Sequence, residues 1–353
     1  MPFLDNLSSQ AVVLDRHYSS GVDTDHGVFS LFTGLFPVTQ PIQFDERRGL
    51  QLPTLFSFLH KTHRSFFVTG SDLRLWYPEA LLENTGLQEV IDARNSTAPA
   101  HKYLDWTIRD EEGTGSILRE MVQKASQPFV GVYYPYATHW PYTVYGDAGN
   151  KVSKTSKLER YGYNLRLVDD QIRKLFEVLR TRGILDRTIV AITADHGEAF
   201  GDQGTWGHGT SLLDIAVHVP MVIYQPRVFV PQHVDTITSH VDLLPTLLDA
   251  MGVQYDPAQF QGESLFRPQR RLYSFFYSPK SNQLGSIDFR GQKLVVDFSR
   301  DFCWTVDLVA DSLEGSRKPC DRGSAQLAAL KVFRRYNTEL LFHLASENAS
   351  GKQ

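Results

Sequence analysis

Apolar positions along the first 255 or so residues recur with two alternating periods, and that alternation is the first guide to the fold. Pro53 to His63 carries apolar side chains at helical spacing, and Ser65-Phe66-Phe67-Val68-Thr69-Gly70 then reads as a strand and turn. Ile117 to Ser126 predicts a helix that feeds the strand Pro128 to Tyr134. From Leu158 to Thr181 the residues Leu165, Val168, Ile172, Leu175, Phe176 and Leu179 fall three or four apart, the stripe of an amphipathic helix that stops at Gly183. A continuous apolar run follows, Thr188-Ile189-Val190-Ala191-Ile192-Thr193, as expected of a strand covered on both faces. Pro220 to Tyr224 is a further strand. Asp242 to Leu248 reads as a helix with Asp242 as N-cap and Pro245 tolerated in its first turn.

Helices alternating with strands predict an α/β fold, a doubly wound and mostly parallel sheet, over residues 1–260. Beyond Gln261-Gly262 the period shortens. Leu272 to Tyr277, Gly285 to Asp288, Gln292 to Asp297 and Phe302 to Asp307 alternate as short antiparallel strands, and Ser324 to Leu344 returns to helical spacing. Residues 261–353 are therefore expected to form a small antiparallel subdomain closed by a helix.

Composition narrows the function classes. The chain has 353 residues, 42% of them hydrophobic, enough for a sizeable core. A formal net charge of −4 and the absence of any Lys/Arg-rich run give no electrostatic reason to expect nucleic acid. Met1 to Gln10 includes Asp5 and does not read as a basic, apolar leader, and no run of about 18 apolar residues offers a membrane span. Cys303 and Cys320 are the only cysteines, open to a disulfide or to two free thiols.

The run Thr193-Ala194-Asp195-His196-Gly197-Glu198, followed by Trp206-Gly207-His208-Gly209, changes the picture most. It sets a carboxylate beside an imidazole at the C-terminal end of a buried strand, the edge where open α/β sheets bind ligands. One hard oxygen and one imidazole nitrogen suit Zn²⁺ or Mn²⁺. The run closes one of four segments that align together: Arg160 to Glu198, Ser239 to Leu248, Gly21-Val22-Asp23-Thr24-Asp25-His26-Gly27 continuing to Thr33-Gly34-Leu35-Phe36-Pro37, and Gln261 to Arg271.

In these segments, from Met1 to about Leu313, the chain resembles the sulfatase-like branch of the alkaline phosphatase superfamily. Within that branch it is most similar to membrane-anchored lipoteichoic acid synthases, phosphoethanolamine transferases and YejM-like inner-membrane sulfatase-family proteins. True sulfatases place a Cys or Ser nine residues before the Thr-Gly pair, within a Cys/Ser-x-Pro-x-Arg signature that directs formylglycine formation. Here that position is Thr24, and His26 and Val28 stand where the proline and arginine would be. Formylglycine cannot be made from threonine. The resemblance therefore implies a phosphoester hydrolase or transferase in which Thr24 is both nucleophile and metal ligand, with Asp195 and His196 as further ligands of a divalent ion (Zn, Mn, Mg or Ca). Thr24 also fits a helix N-cap, and the two roles are compatible.

His139, in Tyr136-Ala137-Thr138-His139-Trp140-Pro141-Tyr142, and His208 match family histidines that contact the transferred group or a second metal. Arg74 and Trp76, at a strand end, match substrate-binding positions of lipoteichoic acid synthases, although a loop ion pair explains Arg74 equally well. His218 reads as a core or rim residue, His240 as support for the helix start at Asp242, and Asp169 as half of a structural ion pair. Family members begin with a strand ending in an acidic metal ligand, whereas Met1 to Leu7 already matches the helix that follows it. The expectation is a truncated or misassigned start, with an incomplete metal shell in this chain. For the full-length protein the resemblance implies an inner-membrane protein with its catalytic domain outside, attached through a segment not in this chain. Its substrate would be a phospholipid or envelope glycan. A sulfatase, and a non-catalytic lipid-sensing regulator of the YejM kind, remain as alternatives.

Overall fold

The structure is a computed structural model describing residues 1–37, 52–76, 82–83, 85–103, 106–145, 154–268 and 271–350. Gln269 and Arg270 of the sequence motif above, and the Trp76 side chain, lie outside the described residues.

Two small sheets share one covering helix. Strands β1 (Val12–Leu14), β5 (Val190–Thr193), β6 (Met221–Tyr224) and β7 (Gln232–Val234) form a mixed sheet in the order β7-β1-β6-β5. β1 runs parallel to β7, and β6 runs antiparallel to both β1 and β5. Strands β2 (Arg64–Thr69), β3 (Glu89–Ile91) and β4 (Phe129–Tyr134) form an all-parallel sheet in the order β3-β2-β4.

Helices α1 (Pro2–Ser8), α2 (Thr24–Thr33), α3 (Glu111–Lys124) and α4 (Lys157–Thr181) pack around these sheets. α3 begins six residues before the sequence pattern placed it. Its first turn, Glu111-Glu112-Gly113, is polar and carries no apolar signal, but the Asp110 carboxylate accepts from the Gly113 N–H and fixes the start. α4 opens with a reciprocal cap in which Ser156 and Glu159 bond each other's backbone N–H. Its stripe packs against both sheets. Val168, Ile172 and Phe176 meet Val190 and Ile192, while Leu175 and Leu179 join Phe66, Val68, Phe129 and Tyr133. Asp169 does not form the expected ion pair. It accepts from the Phe3 and Leu4 N–H groups, at 2.8 and 2.9 Å, and so satisfies two otherwise orphaned donors at the start of α1.

Among the described residues β4 bonds only to β2 and β5 only to β6, so the two sheets are not joined. The C-terminal ends of β4 and β5 lie together, because the Tyr134 hydroxyl bonds the Asp195 carboxylate. β2 is buried along its last five residues, whereas β4 and β5, equally apolar, are only partly covered.

The C-terminal residues build a five-stranded antiparallel meander, β8 (Tyr273–Ser278), β9 (Gln283–Asp288), β10 (Gln292–Asp297), β11 (Phe302–Asp307) and β12 (Lys318–Pro319), with helix α6 (Ala325–Ser350) beyond it. Cys303 and Cys320 form a disulfide between β11 and β12. Helix α5 (Leu243–Ala250) packs on α2. Lys293 on β10 is completely buried, with Nζ 2.8 Å from Glu314, 3.5 Å from Asp214 and over the Phe276 ring. An ammonium can be buried there only because two carboxylates face it. The meander reaches the first domain through Tyr277, whose ring meets His26 edge-on.

Candidate active site

β5 delivers Ala194 and Asp195 to the sheet edge, where the backbone turns at Gly197. A side chain at Gly197 would place its Cβ 2.0 Å from the Ile215 carbonyl oxygen, so only glycine lets the turn seat there. The turn is locked from behind. The Ser19 hydroxyl donates to the Asp195 carbonyl (2.6 Å), and the buried His240 Nε2 donates to the Ala194 carbonyl (3.0 Å). His240 thus braces the Asp-His turn, and it is the Ser239–Asp242 pairing that starts the helical segment.

α2 approaches the same turn end-on. A Cβ at Gly27 would lie 2.1 Å from the Asp195 carbonyl oxygen, so glycine permits this contact. The helix cap is Asp23 and not Thr24: its side chain accepts from the His26 N–H at 3.1 Å and also binds His26 Nδ1 at 2.5 Å. Thr24 is the first helical residue, buried, with its side chain beside the Tyr134 hydroxyl. That phenol donates to Asp195 Oδ2 at 2.7 Å.

Electrostatics follow from this geometry. Burial disfavours the Asp195 carboxylate, but the His196 imidazole, the Tyr134 hydroxyl and the His196 N–H outweigh it and hold its pKa below the usual carboxylate range. Burial first, and then the Asp195 charge, drive the Tyr134 phenol well above its ordinary value, so it remains a donor. His196 Nδ1 lies 2.9 Å from the Gly197 carbonyl, which calls for a proton on that nitrogen. Nε2 then presents a lone pair 3.5 Å from Asp195 Oδ2. The His208 ring is 4.4 Å from that of His196 and 5.8 Å from that of His139, with its Nδ1 held by Glu198 at 3.0 Å. His139 stacks on Tyr136 and binds the Trp140 carbonyl, and burial lowers its pKa. The structure thus gathers Thr24, Asp195, His196, His208 and His139 in one place. Arg74 lies on the short turn Leu73–Trp76, where its guanidinium binds Asp72 at 2.5 Å and its side chain is 59% exposed.

Asp195 and His196 aim an oxygen and a bare nitrogen at one spot, with Thr24 nearby, and that donor chemistry fits a divalent cation in kind. It falls short in number. Among the described residues no three His, Cys, Asp or Glu side chains converge as a metal group. Two members of the cluster were not assigned a role from sequence, Tyr134 and Glu198, and His240 was read as supporting the helix start instead of the turn. Tyr134 had a usable signal, a polar hydroxyl ending an apolar strand at the ligand-binding edge of the sheet. Glu198 acts through the His208 ring and His240 through the Ala194 carbonyl, which spacing does not reveal.

Comparison with known proteins decides the family. Residues 1–253 match the family model described as Sulfatase. The chain belongs to the sulfatase family. It is 25% identical to the inner membrane protein YejM of Salmonella typhi over 279 residues, 77% of this chain and 42% of that protein. It is 35% identical to arylsulfatase K of Xenopus laevis over 97 residues, 28% of this chain and 18% of that one. The chain therefore spans less than half the length of these curated relatives. Two solved structures share the fold: a Vibrio parahaemolyticus protein in the alkaline phosphatase superfamily (TM-score 0.73, 19% identity, 99% of this chain and 81% of that one), and the lipoteichoic acid synthase LtaP of Listeria monocytogenes (TM-score 0.71, 15% identity, 99% and 86%). No helix among the described residues is long and apolar enough to cross a membrane.

Proposed function

We propose that this sulfatase-family chain carries the site of a phosphoester hydrolase or phosphotransferase acting through a covalent Thr24 intermediate. One observation carries the reading: the Tyr134 hydroxyl, beside the Thr24 side chain, donates to Asp195, with the histidine rings of residues 196, 208 and 139 in sequence beside them. Thr24, at the N-terminus of α2, attacks the ester phosphorus, forming the Oγ–P bond as the leaving-group oxygen departs. Helix N–H groups there favour the negative charge of the phosphoryl oxygens. His139 and His208 stand on the far side of Asp195–His196, placed to clamp those oxygens and to return a proton to the leaving oxygen. Water, or an acceptor hydroxyl, then takes the phosphoryl group from Thr24.

Asp195, His196 and Thr24 would hold a divalent cation, which when bound would stabilise the threonine as an alkoxide.

Threonine at the nucleophile position and valine in place of the signature arginine favour phosphate over sulfate esters. The YejM relatives, described as inner membrane proteins, and the likeness to a lipoteichoic acid synthase support an envelope phospholipid or glycan as substrate. The Cys303–Cys320 disulfide agrees with an oxidising compartment. The test compares aryl phosphate, phosphodiester and sulfate esters. Thr24→Ala should abolish phosphoester turnover and Thr24→Ser should keep part of it. Full activity in Thr24→Ala would sink the mechanism. No turnover of any of these esters by the wild-type protein, with lipid binding intact, would favour the regulatory reading.

A further inference from the structure

Between the His208-Gly209 segment and β6 lies a helix of a single turn, Asp214–Val217, that touches the Asp195-His196 turn directly. Its Ala216 carbonyl accepts from the Gly197 N–H at 2.9 Å, and its Ile215 carbonyl oxygen is the atom against which Gly197 seats. One helical turn does not hold itself, because nucleation fixes several backbone torsions for a single intrahelical bond. Nor does this one supply its own cap. Leu213 stands at the N-cap, and its side chain has no acceptor to offer.

The acceptor comes from the C-terminal meander. Glu314, in the connection between β11 and β12, takes the Asp214 N–H at 2.5 Å across 100 residues of sequence. Its other carboxylate oxygen lies 2.8 Å from Nζ of the buried Lys293, which is also 3.5 Å from Asp214 Oδ1. Asp214 Oδ2 faces His218 Nδ1 at 3.3 Å. Glu314 sits at a φ of 58°, the left-handed region that non-glycine residues avoid unless their surroundings impose it. The Cys303–Cys320 disulfide closes the loop that carries it.

Buried charges of this kind are poor stabilisers, since apolar residues of the same volume often serve a fold as well or better. What two carboxylates and an ammonium provide is direction. Lys293 aims Glu314 at the first N–H of the helix, and the helix aims its Ala216 carbonyl at Gly197. We propose that Lys293 and Glu314 are positioning residues for the Asp195-His196 turn, acting through the helix Asp214–Val217. This assignment rests on the active-site reading above for what the turn does, and not for how it is held. Without the cap the helix frays, the Gly197 N–H loses its acceptor, and Asp195 and His196 leave the orientation they share with Thr24.

The test replaces both charges by side chains of similar volume, Lys293→Met with Glu314→Met, which should leave the urea midpoint near that of the wild type. Hydrogen exchange of the segment 190–200, read by mass spectrometry, reports the Gly197 N–H. That segment should exchange at least about tenfold faster in the pair variant. Val122→Ala, a cavity in the α3 core, lowers global stability and should leave this exchange unchanged. Glu314→Gln, which keeps an acceptor for the Asp214 N–H, should exchange more slowly than Glu314→Met. With 4-nitrophenyl phosphate as substrate, kcat of the pair variant should fall at least about tenfold and KM change by less than about twofold, since reacting groups and not substrate contacts are displaced. Wild-type exchange in the pair variant, equal acceleration in Val122→Ala, or an undiminished kcat would each overturn the proposal. Faster exchange in the pair variant of a protein that turns over no ester would uphold the brace and overturn the catalytic reading. Turnover by the wild type, with native exchange in the pair variant, would do the reverse.

Discussion

Replacing Tyr134 by phenylalanine keeps the ring and removes the hydroxyl that donates to Asp195 and bridges toward Thr24. The lost bond to the ionised Asp195 is worth about 1.5–3 kcal/mol. Asp195 retains some access to water, 17% by side chain, so solvent restores part of this and a net cost of about 2 kcal/mol is expected. For 353 residues, at about 2.1 cal/mol/K each, that lowers Tm by about 3 °C. The bond lowers the Asp195 pKa, so its stabilisation is fully present above the unfolded value of about 3.9 and is lost as pH falls through the folded value. The difference between wild type and variant should therefore be flat from about pH 5 to 8. Scanning calorimetry across that range, with Thr24→Val and the double variant, completes a cycle in which coupling of at least about 0.5 kcal/mol is expected. A Tyr134→Phe protein melting within about 0.5 °C of wild type, or strict additivity with Thr24→Val, would refute the bridge.

Gly27→Ala sets a Cβ 2.1 Å from the Asp195 carbonyl oxygen, backbone that cannot swing aside; it should cost about 1–3 kcal/mol in urea unfolding and impair any Thr24-dependent turnover. Lys293→Met strips the buried Glu314 and Asp214 of their facing cation, and chemical denaturation should register a loss of about 3–5 kcal/mol, beyond that of any surface ion pair such as Arg335–Glu339. Burial lowers His240 to about 4 from an unfolded value near 6.5, so the unfolded chain takes up the proton first and stability falls as pH drops through that window. Urea midpoints at pH 7.5 and 5 should differ by about 2 kcal/mol from this residue, a component that His240→Gln removes.

The sequence made some parts of this molecule legible and hid others for identifiable reasons. The stripe from Leu165 to Leu179 announced α4 because its apolar face covers two sheets at once, and β5 was visible as an unbroken apolar run. The early start of α3 escaped notice because a cap and two glutamates, not apolar residues, begin it. Asp169 was expected to pair with a cation, but the donors it meets are backbone N–H groups 165 and 166 residues away. The Asp195-His196 pair advertised itself by adjacency and strand position. Tyr134 did not, since its meaning depends on α2 arriving from the other end of the chain. Resemblance to the family supplied Thr24, His139 and His208. The residues that brace them are selected by contact in space and leave no periodic trace.

The open edges of β4 and β5 bear on how this polypeptide behaves in the test tube. Among the described residues neither has a partner on that side, so each presents a row of backbone N–H and C=O groups. Edges of this kind template extended chain, such as a neighbouring molecule's strand. Self-association during purification is the expected consequence of the sheet plan. A short apolar peptide of strand length, added in excess, should act as a plug and keep the protein in solution.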